Sequence, residues 1–416
     1  MEKMQVAGIV AEYNPFHNGH GWMIEQLRGQ GCHTVVCVMS GSFVQRAEAA
    51  LYPAHIRAKA ALAAGADLVL RLPTPYAVAS AEQFATAATG ILAALGCVDT
   101  LAFGAETPGV ENLQQLAALL QKADFANVLK NKLGEGASFA AARAAAAEEM
   151  QPGAGALLNT PNNILGIEYC KALQTAVPKG LAAVAAGQGK PLPPMPVPFA
   201  LPRRGALHDG IPADGVASAS WLRQHSITQG GAQALQGWVP GACLPIYLNA
   251  QQAGQQINPA QYQFAVLARL RGKPLAAFAP YAGQAAEGLA ARMASAARQA
   301  TTLQELYELA KSKRFAHSRI RRVALAAALG LPANLPAIPP FIQVLGANGR
   351  GLALLKKAKH TAVLPVATSL AKLAKTSPAA ATLVAAEAHA EDLYTLCQQQ
   401  PQPGGRAFTQ PAILEK

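Results

Sequence analysis

The sequence predicts an α/β fold, a Rossmann-like parallel sheet followed by a mostly α-helical C-terminal region. Three observations carry that prediction. Short apolar runs alternate with helix-length segments over the first hundred residues, and glycine or proline punctuates the segments. After about residue 226 this pattern gives way to helical stretches with repeated proline breaks. Strands alternating with helices of this length make a parallel sheet with right-handed crossovers.

Element by element, VAGIVAEY (6–13) reads as a buried strand and HGWMIEQLRGQG (20–31) as a helix ending in glycine. HTVVCVMSG (33–41) is a second strand. PAHIRAKAALAAG (53–65) is a helix with proline in its first turn and glycine after its last. DLVLRLP (67–73) is the third strand, SAEQFATAATGILAALG (80–96) the third helix and DTLAFGAE (99–106) the fourth strand. PKGLAAVAAGQGKPLPPMPVPFALPRR (178–204) is too dense in proline and glycine for a helix or a central strand. The 416 residues suffice for more than one domain, and the change of pattern divides them into 1–225 and 226–416.

Composition narrows the class. The chain is 51% hydrophobic and 14% charged, as a globular protein is, and its formal charge of +12 points to a polyanionic partner. Six scattered cysteines without a CxxC pair argue against a zinc site or a disulfide framework and fit a reducing cytoplasm. The VAGIVA stretch is too short for the apolar core of a signal peptide. No uncharged apolar run reaches the ~18 residues of a membrane span. The expectation is a cytoplasmic protein without a membrane segment.

EYNPFHNGHGWM (12–23) is the stretch that asks for chemistry. In a sheet of order 3-2-1-4, the carboxyl ends of strands one and four flank the switch point where ligands bind, so HxGH would face Gly104. His17 and His20 share one face of a first helical turn, where unpaired N–H groups and the helix dipole favour phosphate. Two imidazoles there can donate to a phosphate whose charge grows in the transition state. Gly19 has no Cβ to keep a ribose or base from the backbone. The plainer reading makes His17 a helix cap and His20 a surface residue. In VASASWLR (216–223), Ser218 and Arg223 suit a triphosphate, although serine N-caps are common. The chain lacks GxxxxGK[ST], and no GxGxxG follows its first strand, so P-loop and ordinary dinucleotide chemistry are excluded.

These features resemble the HIGH-motif nucleotidylyltransferases, in which HxGH and a Ser/Thr-rich segment ending in arginine hold ATP. The likeness narrows further. VAEYNPFHNGH, MSGSFVQRAEAALYPAHIRAKAAL, GADLVLRLPTPYAVASAEQFA, LAFGAE and NTPNNILGIEYCKAL resemble the bacterial tRNA(Met) cytidine acetate ligase family, as do KRFAHSRIRRVAL and PPFIQVLGANGRGLALLKKAK. Together they cover most of residues 4–365.

The resemblance implies a nucleotidylyltransferase domain and an ATP-dependent ligase. It would form acetyl-adenylate from acetate and ATP, then acetylate N4 of the wobble cytidine of elongator tRNA(Met). Carried over by position, the ATP site comprises Val10, Ala11, Glu12, Tyr13, Asn14, Pro15, Phe16, His17, Asn18, Gly19 and His20, with Gly104, Asn162 and Arg203. Arg204 is the alternative to Arg203, because RRGALHDG is shorter than the family's Arg-x-Gly…Tyr-His-Asp pattern. Asn162 either contacts base or ribose or caps its own helix. Ala47 and Ala49 stand where the family tends to have Gly and Pro. Mg²⁺ is expected with ATP as a charge-neutralising ion whose protein ligands the sequence does not name, Glu12 and Asp209 being no more than candidates.

The basic charge concentrates in residues 301–360, with ten Lys/Arg against two acids. Lys313, Arg314, Arg319, Arg321, Arg322, Lys356 and Lys357 are the candidate tRNA contacts, a solvated helix face being the plainer reading. Arg319 and Arg322 share a helix face, while Ile320 and Val323 turn toward a core. Two rivals stand beside the ligase: a small-molecule nucleotidylyltransferase, and a non-catalytic RNA-binding protein that senses ATP. Release of pyrophosphate, and its dependence on acetate and tRNA, separates the three.

Overall fold

β1 (Val6–Ala11) is the apolar run VAGIVA, and its first four residues are buried. A loop leads to α1 (Asn18–Gly29), followed by β2 (Thr34–Ser40) and the short antiparallel pair β3 (Phe43–Val44) and β4 (Glu48–Ala49). Then come α2 (Ala54–Ala63), β5 (Leu68–Leu72), a helix over Ala81–Ala94, and β6 (Thr100–Ala105). Helices intervene before β7 (Val197–Pro202), and the last third adds β8 (Ile342–Ala347), β9 (Val366–Ala367) and β10 (Ile413–Leu414). This is a computed structural model, describing residues 5–203, 215–283, 288–312 and 315–415.

The sheet runs β10-β8-β5-β2-β1-β6-β7, with β9 beside β8. The expected 3-2-1-4 order is therefore present as β5-β2-β1-β6, all parallel, with Val6 opposite Thr34 and Ala7 opposite Thr100. Alternate residues of β2 serve different layers. Val36 and Val38 pack with Phe84, Ile91 and Leu92, whereas Val35, Cys37 and Met39 pack with Ile24, Leu27 and Ala58. The period-2 side-chain alternation thus builds a helix layer on each face.

Two findings differ from the sequence reading. Residues Val177–Ala186 do form a helix, with Val177, Leu181 and Ala185 buried. Pro178 sits in its first turn, directly after the π-helical stretch Ala172–Ala176. β7 is the terminal strand of the sheet, a place that tolerates Pro198 and Pro202. The region after 226 is mostly helical, yet β8 returns to pair antiparallel with β5. Its helices over 259–329 enclose a separate core that includes Phe278, Met293 and Leu306. Ile320 and Val323 point into that core as expected.

The helix Gly349–Thr361 passes beneath the amino ends of the parallel strands. The Asn348 N–H donates to the Asp67 carbonyl just before β5 (3.0 Å), and Thr361 Oγ1 donates to the Leu95 carbonyl ahead of β6 (2.7 Å). The helix Pro378–Leu396 docks through buried charge: Glu387 pairs with Arg71 and accepts the Thr74 N–H at 2.6 Å, and Glu391 accepts from Ser42 Oγ at 2.8 Å. No helix among the described residues is long and apolar enough to cross a membrane.

Candidate active site

A cavity of about 790 Å³ opens at the carboxyl ends of β1 and β6. His17, Gly19 and His20 form one wall, and Gly104, Asn162 and Arg203 stand among the residues of the other. The two groups face each other across the switch point, as the strand order requires.

His17 is the N-cap of α1, and its Nδ1 accepts the Gly19 N–H at 3.1 Å. His20, three residues on, accepts the His17 N–H on its own Nδ1 at 3.2 Å. The capping reading and the cavity reading hold together. Because both Nδ1 atoms accept, both neutral rings carry their proton on Nε2 and can act as donors there. Burial, reinforced by the Arg203 charge, lowers the His17 pKa to about 3. Burial, then His17 and Arg203, lowers that of His20 well below its ordinary value. Gly19 leaves room for the His17 ring, since a Cβ would lie 3.0 Å from His17 Cε1 and the ring would have to give way.

Val10, Ala11, Glu12, Tyr13 and Asn14 also line the cavity, but Pro15, Phe16 and Asn18 do not. Phe16 is buried, and its N–H donates to Tyr247 Oη at 2.9 Å. Asn18 Nδ2 donates to the carbonyls of Gly215 (2.8 Å) and Gly237 (2.9 Å), tying the loop to the later chain. Tyr13 is almost wholly buried, with its hydroxyl 3.2 Å from Cys37 Sγ. Glu12 Oε1 accepts the Gln45 N–H at 2.7 Å, and burial raises its carboxyl pKa.

On the facing wall, Asn162 is not a helix cap. Thr160 holds the N-cap position, and Asn162 Nδ2 donates to Glu106 Oε1 at 2.6 Å. The other Glu106 oxygen accepts the Asn163 N–H at 2.9 Å, and Arg203 Nη1 lies 3.7 Å from Oε1. Burial pushes the Glu106 pKa up, but the bonds from Asn162 and Asn163 outweigh it and leave the pKa below the ordinary value. Glu106 was legible only as the last letter of LAFGAE. At Gly104 a Cβ would approach Arg203 Cγ to 3.3 Å, so the glycine makes room for that side chain.

Ser218 and Arg223 are near the loop but not in the cavity wall, which takes Ala219 from this segment. Ser218 Oγ caps its helix by accepting the Trp221 N–H at 3.2 Å. Arg223 Nη1 donates to the Asn14 carbonyl at 3.0 Å, and Nη2 lies 3.7 Å from Glu48 Oε2.

The basic segment divides. His317, Ser318, Arg321 and Arg322, at the start of the helix His317–Leu329, line the same cavity as the histidine pair. Arg321 Nη1 donates to Glu48 Oε1 at 2.8 Å. Arg319 turns away and donates to the Ala282 carbonyl at 2.5 Å. Lys356 and Lys357 are exposed on the helix beneath the amino ends of the strands, opposite the cavity. Arg204, Asp209, Lys313 and Arg314 lie outside the described residues.

Among the described residues no three His, Cys, Asp or Glu cluster as a metal-ligand set. Glu12 is the one carboxylate among the described lining residues, with one oxygen already engaged. These residues do not form a protein cage for Mg²⁺.

The family model described as HIGH Nucleotidyl Transferase matches residues 4–407. The tRNA(Met) cytidine acetate ligase of Caldanaerobacter subterraneus subsp. tengcongensis is 36% identical over 404 residues, 94% of this chain and 95% of that protein. The protein of the same name from Acetivibrio thermocellus is 31% identical, covering 99% of this chain and all of its own. The crystal structure of Thermotoga maritima TmcAL bound with alpha-thio ATP matches with a TM-score of 0.86 at 26% identity, over 99% of this chain and 100% of that one.

Proposed function

Because this chain belongs to the HIGH nucleotidyl transferase family, and within it to the tRNA(Met) cytidine acetate ligases, we propose that it activates acetate with ATP and acetylates elongator tRNA(Met). The observation that carries the chemistry is the pair of neutral imidazoles, each with Nδ1 occupied, in a cavity bordered by Gly104 and Arg203. ATP binding is further supported by the nucleotide-bound Thermotoga maritima neighbour.

In this reading ATP lies with its base side toward Gly104 and Asn162 and its α-phosphate beneath the histidines. An acetate oxygen attacks the α-phosphorus, the bond to the β-phosphate oxygen breaks, and pyrophosphate leaves. The Nε2–H groups of His17 and His20 donate to oxygens whose charge rises as the phosphorus becomes five-coordinate. Neutral rings suit this role, since they are donors at physiological pH without first losing or gaining a proton. Arg203 contributes fixed positive charge. The product is acetyl-adenylate. The N4 amine of the wobble cytidine then attacks its carbonyl carbon, AMP departs, and the amine proton goes to solvent. Mg²⁺ would arrive on the triphosphate, and no step here depends on it.

Residues 1–225 carry the ATP chemistry and 226–416 the RNA-facing surface, with Arg321 and Arg322 of the second part closing the cavity of the first. The setting is the cytoplasm, where the tRNA is found. The deciding experiment is exchange of labelled pyrophosphate into ATP, with and without acetate. Acetate-dependent exchange and acetate transfer to tRNA(Met) are expected. Exchange that ignores acetate would favour another nucleotidylyl acceptor, and none at all would favour a binding protein.

A further inference from the structure

We propose that Arg57, which does not line the cavity, is a positioning residue for acetate activation: its guanidinium ties the carboxyl ends of β1 and β2 into one corner that holds the histidine loop. This rests on the proposed function above.

Arg57 lies on α2 and is completely buried. Nε donates to the Tyr52 carbonyl at 2.9 Å, Nη1 to the Glu12 carbonyl, and Nη2 to the carbonyls of Ser40 (3.2 Å) and Gly41. Every acceptor is main chain, and the acceptors come from three separate segments: the end of β1, the end of β2 and the approach to α2. Among the described residues no carboxylate forms an ion pair with it. A buried cation without one carries a desolvation cost that its hydrogen bonds to main-chain carbonyls must offset. Burial lowers its pKa to about 10, so it remains charged at neutral pH.

The expense makes sense at the loop. Glu12 is held at both ends, its carbonyl by Arg57 and its Oε1 by the Gln45 N–H at 2.7 Å. Asn14 is held likewise, with Oδ1 accepting the Leu51 N–H at 2.7 Å and its carbonyl accepting from Arg223 at 3.0 Å. Of these clamps, Arg57 is the one that also grips β2. Its rigid fork of five N–H groups serves several carbonyls at once, and a lysine ammonium on a flexible stem cannot reproduce that geometry. Removing the fork frees the Glu12 carbonyl at the root of the loop that carries His17 and His20. A misplacement of about 1 Å at such a site costs on the order of 10²-fold in rate.

The test uses the full chain as wild type, Arg57→Lys and Arg57→Met. Acetate-dependent pyrophosphate exchange is measured per folded molecule, with the folded fraction taken from near-UV circular dichroism. The expected result is a fall in kcat of at least about tenfold in both variants, with KM for ATP within about threefold of wild type. Should Arg57→Met fail to fold, Arg57→Lys decides. A lower melting temperature with unchanged kcat per folded molecule would overturn the positioning role and leave the ligase reading standing. Wild-type protein without the exchange would sink both.

Discussion

His17 and His20 stack with ring centroids 3.7 Å apart and 26° between planes, each giving its Nδ1 to a main-chain N–H of the same helical turn. That pairing removes the choice of tautomer and leaves two Nε2–H donors. His17→Ala or His20→Ala is expected to slow acetyl-adenylate formation by ~10²-fold or more, the scale for losing a transition-state donor. His17→Asn keeps a good capping residue, so it separates the cap from the chemistry. Near-wild-type exchange in all three variants would remove the histidines from the mechanism.

The lowered pKa of His17 has a consequence for stability. The folded chain holds the ring neutral down to about pH 3, whereas the unfolded ring titrates near 6.5. Between those values the unfolded state binds the extra proton, so stability falls as pH falls from 6.5 toward 3. From pH 7 to pH 5 the loss from His17 is about 2 kcal/mol. Urea unfolding at both pH values should show a smaller difference for His17→Asn than for wild type. An equal difference in the two proteins would contradict the burial argument.

Gly19 tests the spacing of the pair. Gly19→Ala places a Cβ 3.0 Å from His17 Cε1 and 3.2 Å from Nδ1, so the ring must shift. The expected outcome is folded protein with exchange reduced by at least about tenfold, the rate being sensitive to small displacements. Retained activity would show that the ring position is not critical.

The arginines of the basic segment should no longer behave as one group. Arg321→Gln and Arg322→Gln, both in the cavity wall, are expected to impair acetate activation as well as tRNA binding. Lys356→Gln and Lys357→Gln, at the other end of the sheet, should leave the exchange reaction unchanged. Neutralising a side chain that touches an RNA phosphate lowers the slope of log K against log salt by about 0.7 to 0.9. Titrations of tRNA at several salt concentrations would show which variants change the slope; none doing so would make the segment a solvated face.

Ala47 has φ of +57°, in the region where a side chain is strained, at a position where the resembling family tends to have glycine. Relief of an alanine's left-handed strain is worth about 1 kcal/mol, partly offset by glycine's greater freedom when unfolded. Ala47→Gly should therefore leave activity intact and raise the denaturation midpoint slightly. A lower midpoint would mean that the methyl group's packing outweighs the strain.

What the sequence alone determined is local and periodic. The apolar runs specified β1, β2, β5 and β6, proline and glycine marked their connections, and HxGH at the end of the first strand located the cavity. Those signals are legible because strand and helix periods and turn residues act over a few neighbours. The family motifs added the opposite wall, Gly104 and Arg203, from another part of the chain. Tertiary structure decided what depends on packing between distant segments. It turned Arg321 and Arg322 into the cavity while Arg319 went to the Ala282 carbonyl. It used Ser218 as a cap and Arg223 as a clamp on Asn14, and gave Asn162 to Glu106. It also buried Arg57 among carbonyls from three segments, a role no motif announces. Arginine and asparagine side chains bond to whichever acceptor the folded backbone brings within about 3 Å, and that neighbour is set by packing between segments far apart in the chain.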